Sequence, residues 1–449
     1  MKPINIIGAG LAGSLMAVLL AKKGFRVNVY ERRPDMRKAK IGGGRSINLA
    51  LSARGIHALE EAGLKEEIMK LAIPMPGRMI HPVQGGEEFQ PYSKDPSNHI
   101  NSVSRAELNK KLMDRAEVLE KVDFFFNHRC LEMDFESGKV LMKNEENGET
   151  FELEGKTTIA ADGAFSAVRY AMQKTPRFNF SQSYLDHGYK ELEIPPTADG
   201  GFRMEPKALH IWPRDEFMMI ALPNLDGSFT CTLFMAYEGK NSFANLQSKE
   251  EVTAFFNTQF PDAVPLMPNL LDDFFTNPTS SLVTVRCYPW AYGDKVALIG
   301  DASHAIVPFF GQGMNAAFED CSVMSECIDQ AEGDWAKAFD AYQKSRKANA
   351  DAIATMALEN YIEMRDHVND EEFVFQKKVE HHLERHTDLY QSRYEMVSFS
   401  RIPYAEAYRR GELNKQILGR ITDGIDQAAE IDMERAERII QEVMGEGGE

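Results

Sequence analysis

Three stretches, far apart in the chain, combine glycine with a carboxylate in a way that suits an extended, hydroxyl-bearing nucleotide. The first is Gly8-Ala-Gly10-Leu-Ala-Gly13, with Glu31 standing 18 residues after its last glycine. The second is Asp162-Gly163, followed by Ser166 and Arg169. The third is Gly300-Asp301, followed by Pro308 and by Gly311-Gln-Gly313-Met314-Asn315. Glycines ahead of a helix let a ligand reach backbone N–H groups, and the helix dipole there favours negative charge. A carboxylate at the tip of a strand accepts bonds from ribose or polyol hydroxyls. Taken alone, a Gly-Asp turn also reads as a plain structural strand–turn–helix.

Such residues need strands to deliver them, and the flanking sequence supplies apolar runs. Ile4-Asn-Ile-Ile reads as a strand into Gly8, Leu15 to Lys23 as a helix closed by Gly24, and Phe25 to Tyr30 as a second strand ending at Glu31. Met-Lys and the apolar residues up to Ala21 also have the look of a secretory leader. Strand, turn, helix, strand and acid in register fit the dinucleotide fingerprint instead. Thr158-Ile-Ala-Ala runs into Asp162, and Val296-Ala-Leu-Ile into Gly300, with a helical pattern from about Asn315. One carboxylate for a polyol and one helix N-terminus for an electron-rich ring suit a flavin. Arg45 or Arg54 is a candidate partner for a pyrophosphate, or else part of a solvated turn beside the glycines at 42–44.

The remaining sequence bounds the class. A net charge of −17 disfavours nucleic acid and anionic membrane surfaces, which would repel it. Five cysteines without a CxxC pair read as reduced thiols rather than a disulfide framework. Residues 71–100, broken by Pro74, Pro76, Gly85-Gly86 and Pro91, read as strands and turns, and Ser104 as the N-cap of the helix that follows. Phe217 to Leu222 and Phe229 to Met235 read as a hairpin across Pro223 to Ser228. Alternation puts Met218, Ile220 and Leu222 on one face, and Thr232 with Phe234 on one face of the partner. The chain after Asn315 is mostly helical. His381-His-Leu-Glu-Arg-His386 offers imidazoles at i, i+4, but no cysteine or second cluster accompanies it; it reads as a solvated helix face, and no metal is expected. The last helix, Ile431 to Met444, is amphipathic, and no segment reaches the ~20 apolar residues a bilayer span needs.

Together, GxGxxG near the start, Asp-Gly in the middle and Gly-Asp toward the end resemble the single-component flavoprotein aromatic hydroxylases. Longer strings narrow the likeness to the branch that hydroxylates kynurenine. They include Glu31-Arg-Arg-Pro34, Gly44-Arg-Ser-Ile-Asn-Leu-Ala-Leu51, Gly77-Arg-Met79, His187-Gly-Tyr-Lys-Glu-Leu192, Ala208-Leu-His-Ile-Trp-Pro213, Met356-Ala-Leu-Glu-Asn-Tyr361 and Phe399-Ser-Arg-Ile-Pro-Tyr404. The resemblance implies an α/β fold. Its Rossmann-like FAD-binding domain would be built from 1–70, 101–176 and 287–345, its inserted substrate sheet from 71–100 and 177–286, and its helical C-terminal region from 346–449.

It further implies noncovalent FAD, NADPH as a transient co-substrate, and O2. The reaction implied is hydroxylation of L-kynurenine to 3-hydroxykynurenine, in tryptophan catabolism, through a flavin C4a-hydroperoxide. No acid, base or nucleophile of the protein is required. FAD contacts implied are Gly8, Gly10, Gly13, Glu31, Arg32, Arg45, Arg105, Asp162, Gly300, Asp301, Pro308, Gly311, Gly313, Met314 and Asn315. Arg78 and Tyr92 are implied for the substrate carboxylate, with Asn360 and Tyr394 nearby. Met218, Ile220, Leu222, Thr232, Phe234 and Phe309 are implied for the pocket wall; periodicity alone would leave the five strand positions in an ordinary core. A single GxGxxG leaves NADPH without its own Rossmann domain and disfavours Baeyer–Villiger enzymes. Animal and fungal members end in a hydrophobic anchor, so this chain is expected to be a soluble, bacterial-type, cytoplasmic member, monomeric or homodimeric. The alternatives are another FAD-dependent aromatic hydroxylase, a non-oxygenase flavoprotein such as a reductase or halogenase, and a non-catalytic FAD-binding regulator.

Overall fold

The structure, a computed structural model, describes residues 2–38, 48–153, 157–366, 371–425 and 427–446. The glycines at 42–44 and Arg45 lie outside the described residues. The chain divides into two compact units. The first comprises Met1–Ala72, Val103–Leu185 and Leu282–Ala354, and the second Ile73–Ser102, Asp186–Ser281 and Thr355–Glu449. The elements used below are, in chain order, β1 (Ile4–Ile7), α1 (Leu11–Lys22), β2 (Val27–Glu31), α2 (Ala53–Ala62), β3 (Gly77–Ile80), β4 (Thr158–Ala160), β5 (Asn179–Ile194), β6 (Leu209–Arg214), β7 (Phe217–Pro223), β8 (Phe229–Ala236), β9 (Val296–Leu298), α3 (Gly313–Gln330), α4 (Trp335–Asp366) and α5 (Arg393–Ser398).

In the first unit a sheet runs in the order Ala291–Tyr292, β9, β4, β1, β2, Val122–Phe126. Every pairing is parallel except that of Ala291–Tyr292 with β9. Strands covered on both faces need apolar side chains throughout, and β1, β4 and β9 are buried at every position. α1 is buried at every residue from Gly13 to Ala21, as a helix apolar all round must be. Leu15, Met16, Val18 and Leu20 are fully buried there, each contributing ~1.5–3 kcal/mol. Gly24, at φ +94°, turns the chain out of that helix into β2.

The register decides where the sheet's ligand-facing edge falls. Ile7 lies beside both Ala160 and Tyr30, and Ala160 lies beside Leu298. Gly8, Glu31, the Asp162 turn and the Gly300 turn therefore leave the sheet at nearly one level, at the carboxyl ends of four adjacent parallel strands. Sheet order reverses at β1, which is where open α/β sheets form a ligand crevice. Helical structure begins well before Asn315. Gly300, at φ +57°, turns directly into a helical turn Asp301–His304, and a 3-10 turn Pro308–Phe310 precedes α3.

In the second unit β5, β8, β7, β6, β3 and Glu88–Pro91 are successive neighbours of one sheet. All these pairings are antiparallel except the parallel β6–β3 pair. Met218 lies opposite Phe234 and Ile220 opposite Thr232, so the residues expected on one face share it. The alternate residues, Phe217, Met219, Ala221, Cys231, Leu233 and Met235, form the core of the other face with Phe256, Phe260 and Phe274. Asn224 N donates to Ser228 O at 2.8 Å and Gly227 takes φ +86°, closing the hairpin between β7 and β8.

α4 runs unbroken through residues 345 and 346, where the sequence reading divides two domains. The helices after it build a separate cluster around Leu383, Ile417, Ile421 and Ile440. Ala436, Ile439, Ile440 and Val443 of the last helix are buried in it, which consumes that helix's apolar side. Among the described residues no helix is long and apolar enough to cross a membrane.

Candidate active site

The glycines of the first turn divide by what surrounds them. A Cβ at Gly8 would stand 2.5 Å from the Ala161 carbonyl oxygen, and one at Gly13 2.0 Å from that of Gly8. Those two glycines let the turn close on the sheet. A Cβ at Gly10 would meet nothing within 4 Å, so this glycine keeps space open above the start of α1. Glu31 is buried and ties the turn down, accepting from Ala9 N at 3.0 Å and from Arg33 Nε at 2.8 Å. Burial works against its ionisation, but the Arg33 and Ala9 hydrogen bonds outweigh it and hold the carboxyl below its usual range.

Asp162 accepts from Ala167 N at 2.8 Å through one oxygen, while its Oδ1 is buried with no hydrogen-bond partner. Burial pushes its carboxyl up from the ordinary aspartate value. Arg169 donates to the carbonyl oxygens of Ala164 and, at 2.9 Å, Ala302, fastening the Asp162 turn to the turn that begins at Asp301. Asp301 is exposed, as are Pro308, Arg32 and Arg105, whereas Met314 is buried at the start of α3. Asn315 is fully buried and its side chain is spent on the protein. It donates to Ala50 O at 2.8 Å and Gly311 O at 2.9 Å and accepts from Ser52 N at 2.9 Å. Arg54 corrects one expectation. It is buried at the start of α2 with its Nε 3.1 Å from Glu319, inside the fold rather than toward a pyrophosphate.

That pair belongs to a buried ionic cluster which sequence reasoning missed. Asp320 accepts the Gly300 N–H at 3.0 Å, His304 Nε2, and Arg346 Nε at 2.7 Å; Arg346 Nη1 donates on to Glu319. The one signal for it was two consecutive acids in the otherwise apolar first half of α3. The cluster fixes the backbone from which Asp301 projects.

In the second unit Arg78, on β3, stands 5.4 Å from the ring centroids of both Tyr92 and Tyr394. The two rings stack at 4.9 Å, and burial raises both phenols above the usual tyrosine range. Among the described residues no carboxylate pairs with Arg78. Ser93 bonds Glu395, latching α5 and its Tyr394 to the segment after Tyr92. Met218 and Phe234 line a small cavity of about 10 Å³ with His187, Glu216, Phe217 and Tyr361, enough for roughly one water. His187 and Tyr361, which no sequence pattern marks as site residues, meet edge to face at 5.4 Å. Ile220 is half-buried, Leu222 and Thr232 are buried on the same face, and Asn360 is half-buried on α4 beside Tyr361. Phe309 is buried in the first unit, on the 3-10 turn.

Residues 1–357 match the family described as FAD binding domain. Two relatives, each 49% identical to this chain, are named kynurenine 3-monooxygenase. That of Myxococcus xanthus aligns over 98% of this chain and 94% of its own, and that of Dictyostelium discoideum over 99% and 98%. Solved structures share the fold. The tetrameric form of 2-methyl-3-hydroxypyridine-5-carboxylic acid oxygenase superposes with a TM-score of 0.66 at 19% identity, over 84% of this chain and 95% of that one. PqsL, a probable FAD-dependent monooxygenase from Pseudomonas aeruginosa, does so with 0.64 at 18%, over 81% and 97%. The residues present fit an FAD. The free Asp162 oxygen, the open space at Gly10 and the exposed Asp301 carboxylate offer an acceptor, a phosphate approach and a polyol acceptor on one sheet edge.

Proposed function

The chain belongs to the kynurenine 3-monooxygenases, flavoproteins built on an FAD binding domain, and on that premise we propose how its residues serve the reaction. It hydroxylates L-kynurenine to 3-hydroxykynurenine with NADPH and O2, and FAD supplies the hydride acceptance and oxygen transfer when bound. The chain holds FAD noncovalently through the Gly8–Gly13 turn, Glu31, Asp162 and Asp301. Arg78 holds the carboxylate of kynurenine, with Tyr92 and Tyr394 fixing the guanidinium plane.

The observation that carries this reading is Arg78 itself, a guanidinium beside two stacked phenols without a carboxylate partner among the described residues. A half-buried cation in that setting is matched by a planar anion. The Met218–Phe234 face with Ile220 and Thr232 offers an apolar wall to an aromatic ring. No side chain is asked to move a proton, because the amino group of the ring activates the carbon that is hydroxylated. The chain's task is to orient the ring and exclude water. The charge of −17 and the lack of a membrane-spanning helix among the described residues support a cytoplasmic location.

The test is a stopped-flow trace of flavin reduction by NADPH, with and without kynurenine, followed by identification of the product. Kynurenine-stimulated reduction with 3-hydroxykynurenine formed supports the reading. Reduction indifferent to kynurenine, or flavin left oxidised by NADPH, would overturn it.

A further inference from the structure

Beside the strand that carries Arg78 lies a line of hydrogen bonds, buried at its centre, with no part in the reaction described above. His210 Nε2 faces the carbonyl oxygen of Glu205 at 2.8 Å, and His210 Nδ1 faces His81 Nε2 at 2.8 Å. His81 Nδ1 faces Asp262 Oδ2 at 3.0 Å, and Trp212 Nε1 donates to that same oxygen at 2.8 Å. His81 is 2% exposed and His210 is not exposed at all, so no solvent replaces the bond between the two rings, while the Asp262 side chain at the end of the line is 40% exposed.

The protons can be counted from the partners. A carbonyl oxygen and a carboxylate oxygen only accept, so both outer ring nitrogens need a hydrogen. The two inner nitrogens face each other and need one hydrogen between them. Two neutral imidazoles carry two protons, but this line needs three. The pair therefore carries one positive charge, opposite Asp262. Burial, with His81 beside it, depresses His210 to about 4, the Glu205 carbonyl notwithstanding, so the second proton of the pair is not held on His210 alone. Asp262 stays ionised, since the His81 and Trp212 bonds outweigh its burial.

The pair also sits where it can act on the substrate site. β3 is four residues long and pairs in parallel with β6, with Arg78 beside Leu209 and Met79 beside His210. Directly after it, His81 N donates to Ile211 O at 2.9 Å, and His81 O accepts from Arg214 Nη1 at 2.9 Å. The His81 ring stacks on Trp212 at 4.1 Å. Side chain and backbone of one residue thus fasten the end of the strand that presents Arg78. The charged groups facing the pair are Asp262, from beyond the helix Lys249–Gln259, Arg214 on β6, and Glu205 ahead of β6; Asp215 acts on it through Arg214.

We propose that His81 and His210 form a three-proton cation paired with Asp262, and that this cation positions Arg78 for the substrate carboxylate, so that kynurenine binding weakens when the third proton is lost. The proposal rests on the reading that Arg78 binds that carboxylate. A bound cation is lost as pH rises, so affinity is full on the acid side of the pair's titration and falls on the alkaline side. The interaction at stake is a charge-assisted hydrogen bond, and about a tenfold rise in Kd is expected.

The test uses the FAD-loaded protein with ¹⁵N-labelled histidine. Wild type at neutral pH should show one ring with both nitrogens protonated, absent from His81→Gln, and kynurenine Kd should rise along that ring's deprotonation. In Asp262→Asn an amide oxygen can keep the Trp212 bond, but the negative charge that balances the pair is gone. The doubly protonated ring should vanish and the Kd profile should flatten. A wild-type protein without such a ring would refute the cation. A ring whose titration leaves Kd unmoved, or an Asp262→Asn profile that keeps the wild-type slope, would refute the positioning role. Failure of the Arg78 reading is separate: an Arg78→Met protein would then bind kynurenine as wild type does while the ring signal persists.

Discussion

Asp320 lies directly behind Gly300: one of its oxygens accepts the Gly300 N–H at 3.0 Å while the other accepts from Arg346 at 2.7 Å. Both side chains of the ion pair are buried, so removal of Asp320 takes one of two carboxylates from Arg346 and leaves His304 and the Gly300 N–H without their acceptor. Asp320→Ala is expected to lower stability by about 3–5 kcal/mol and to reduce FAD retention with it. Denaturant midpoints with and without added FAD measure both, and a midpoint like that of wild type would deny the pair its structural role.

The same carboxylate sets a pH dependence. Burial works against its charge, but His304 and Arg346 hold its carboxyl below the ordinary value. The unfolded chain therefore binds the proton first, and the stability that Asp320 contributes is complete above about pH 4 and lost as pH falls below it. Asp320→Asn should lose stability less steeply than wild type on that acid limb. Parallel limbs would mean the native and unfolded carboxyls titrate alike.

Gly13 and Gly10 should respond differently to a methyl group. Gly13→Ala forces Cβ to within 2.0 Å of the Gly8 carbonyl oxygen and should cost the fold several kcal/mol, with soluble yield and melting temperature as readouts. Gly10→Ala meets no protein atom within 4 Å, so stability without cofactor should be unchanged while FAD affinity falls. Full FAD retention in Gly10→Ala would move the phosphate away from that turn.

Arg78→Met should bind FAD as wild type does and lose about 2–5 kcal/mol of kynurenine affinity, the cost of truncating one partner of a buried charge pair. Decarboxylated kynurenine should barely distinguish the two proteins. Equal kynurenine affinity in both would place the carboxylate elsewhere.

Asp301→Ala should weaken FAD retention by about 1.5–3 kcal/mol, through loss of charge-assisted bonds to a hydroxyl. Acid precipitation of wild type should release all the flavin into the supernatant. Yellow pellets would point to a covalent link.

The readable parts of this molecule were those governed by short periods and by backbone constraint. Glycine at the end of an apolar run announces a turn at the sheet edge, which is how Gly8, Asp162-Gly163 and Gly300 were found before their strands were seen side by side. A two-residue period placed Met218, Ile220, Thr232 and Phe234 on one face, because a strand has only two faces to choose from. Partners set by tertiary pairing were not readable. His81 and His210 are 129 positions apart and meet only because β3 and β6 run parallel. Glu319 and Asp320 stand out as acids in a largely apolar stretch, but nothing near them announces Arg346 or Arg54 as their partners. Asn315 was read as a ligand contact by its place in a motif, while its amide is satisfied by Ala50, Ser52 and Gly311.

The place of Arg78 beside two stacked phenols bears on the thermodynamics of recognition. A free arginine side chain surrenders ~2 kcal/mol of rotational entropy when it is immobilised on a ligand. Here contact with the two rings favours one conformation of the side chain before any ligand arrives, so less of that loss remains for the encounter. An incoming carboxylate meets a preorganised fork, and its affinity exceeds what the same two hydrogen bonds would give on a mobile surface residue. The corresponding burden falls on the unliganded protein, which keeps an ordered, partly desolvated cation.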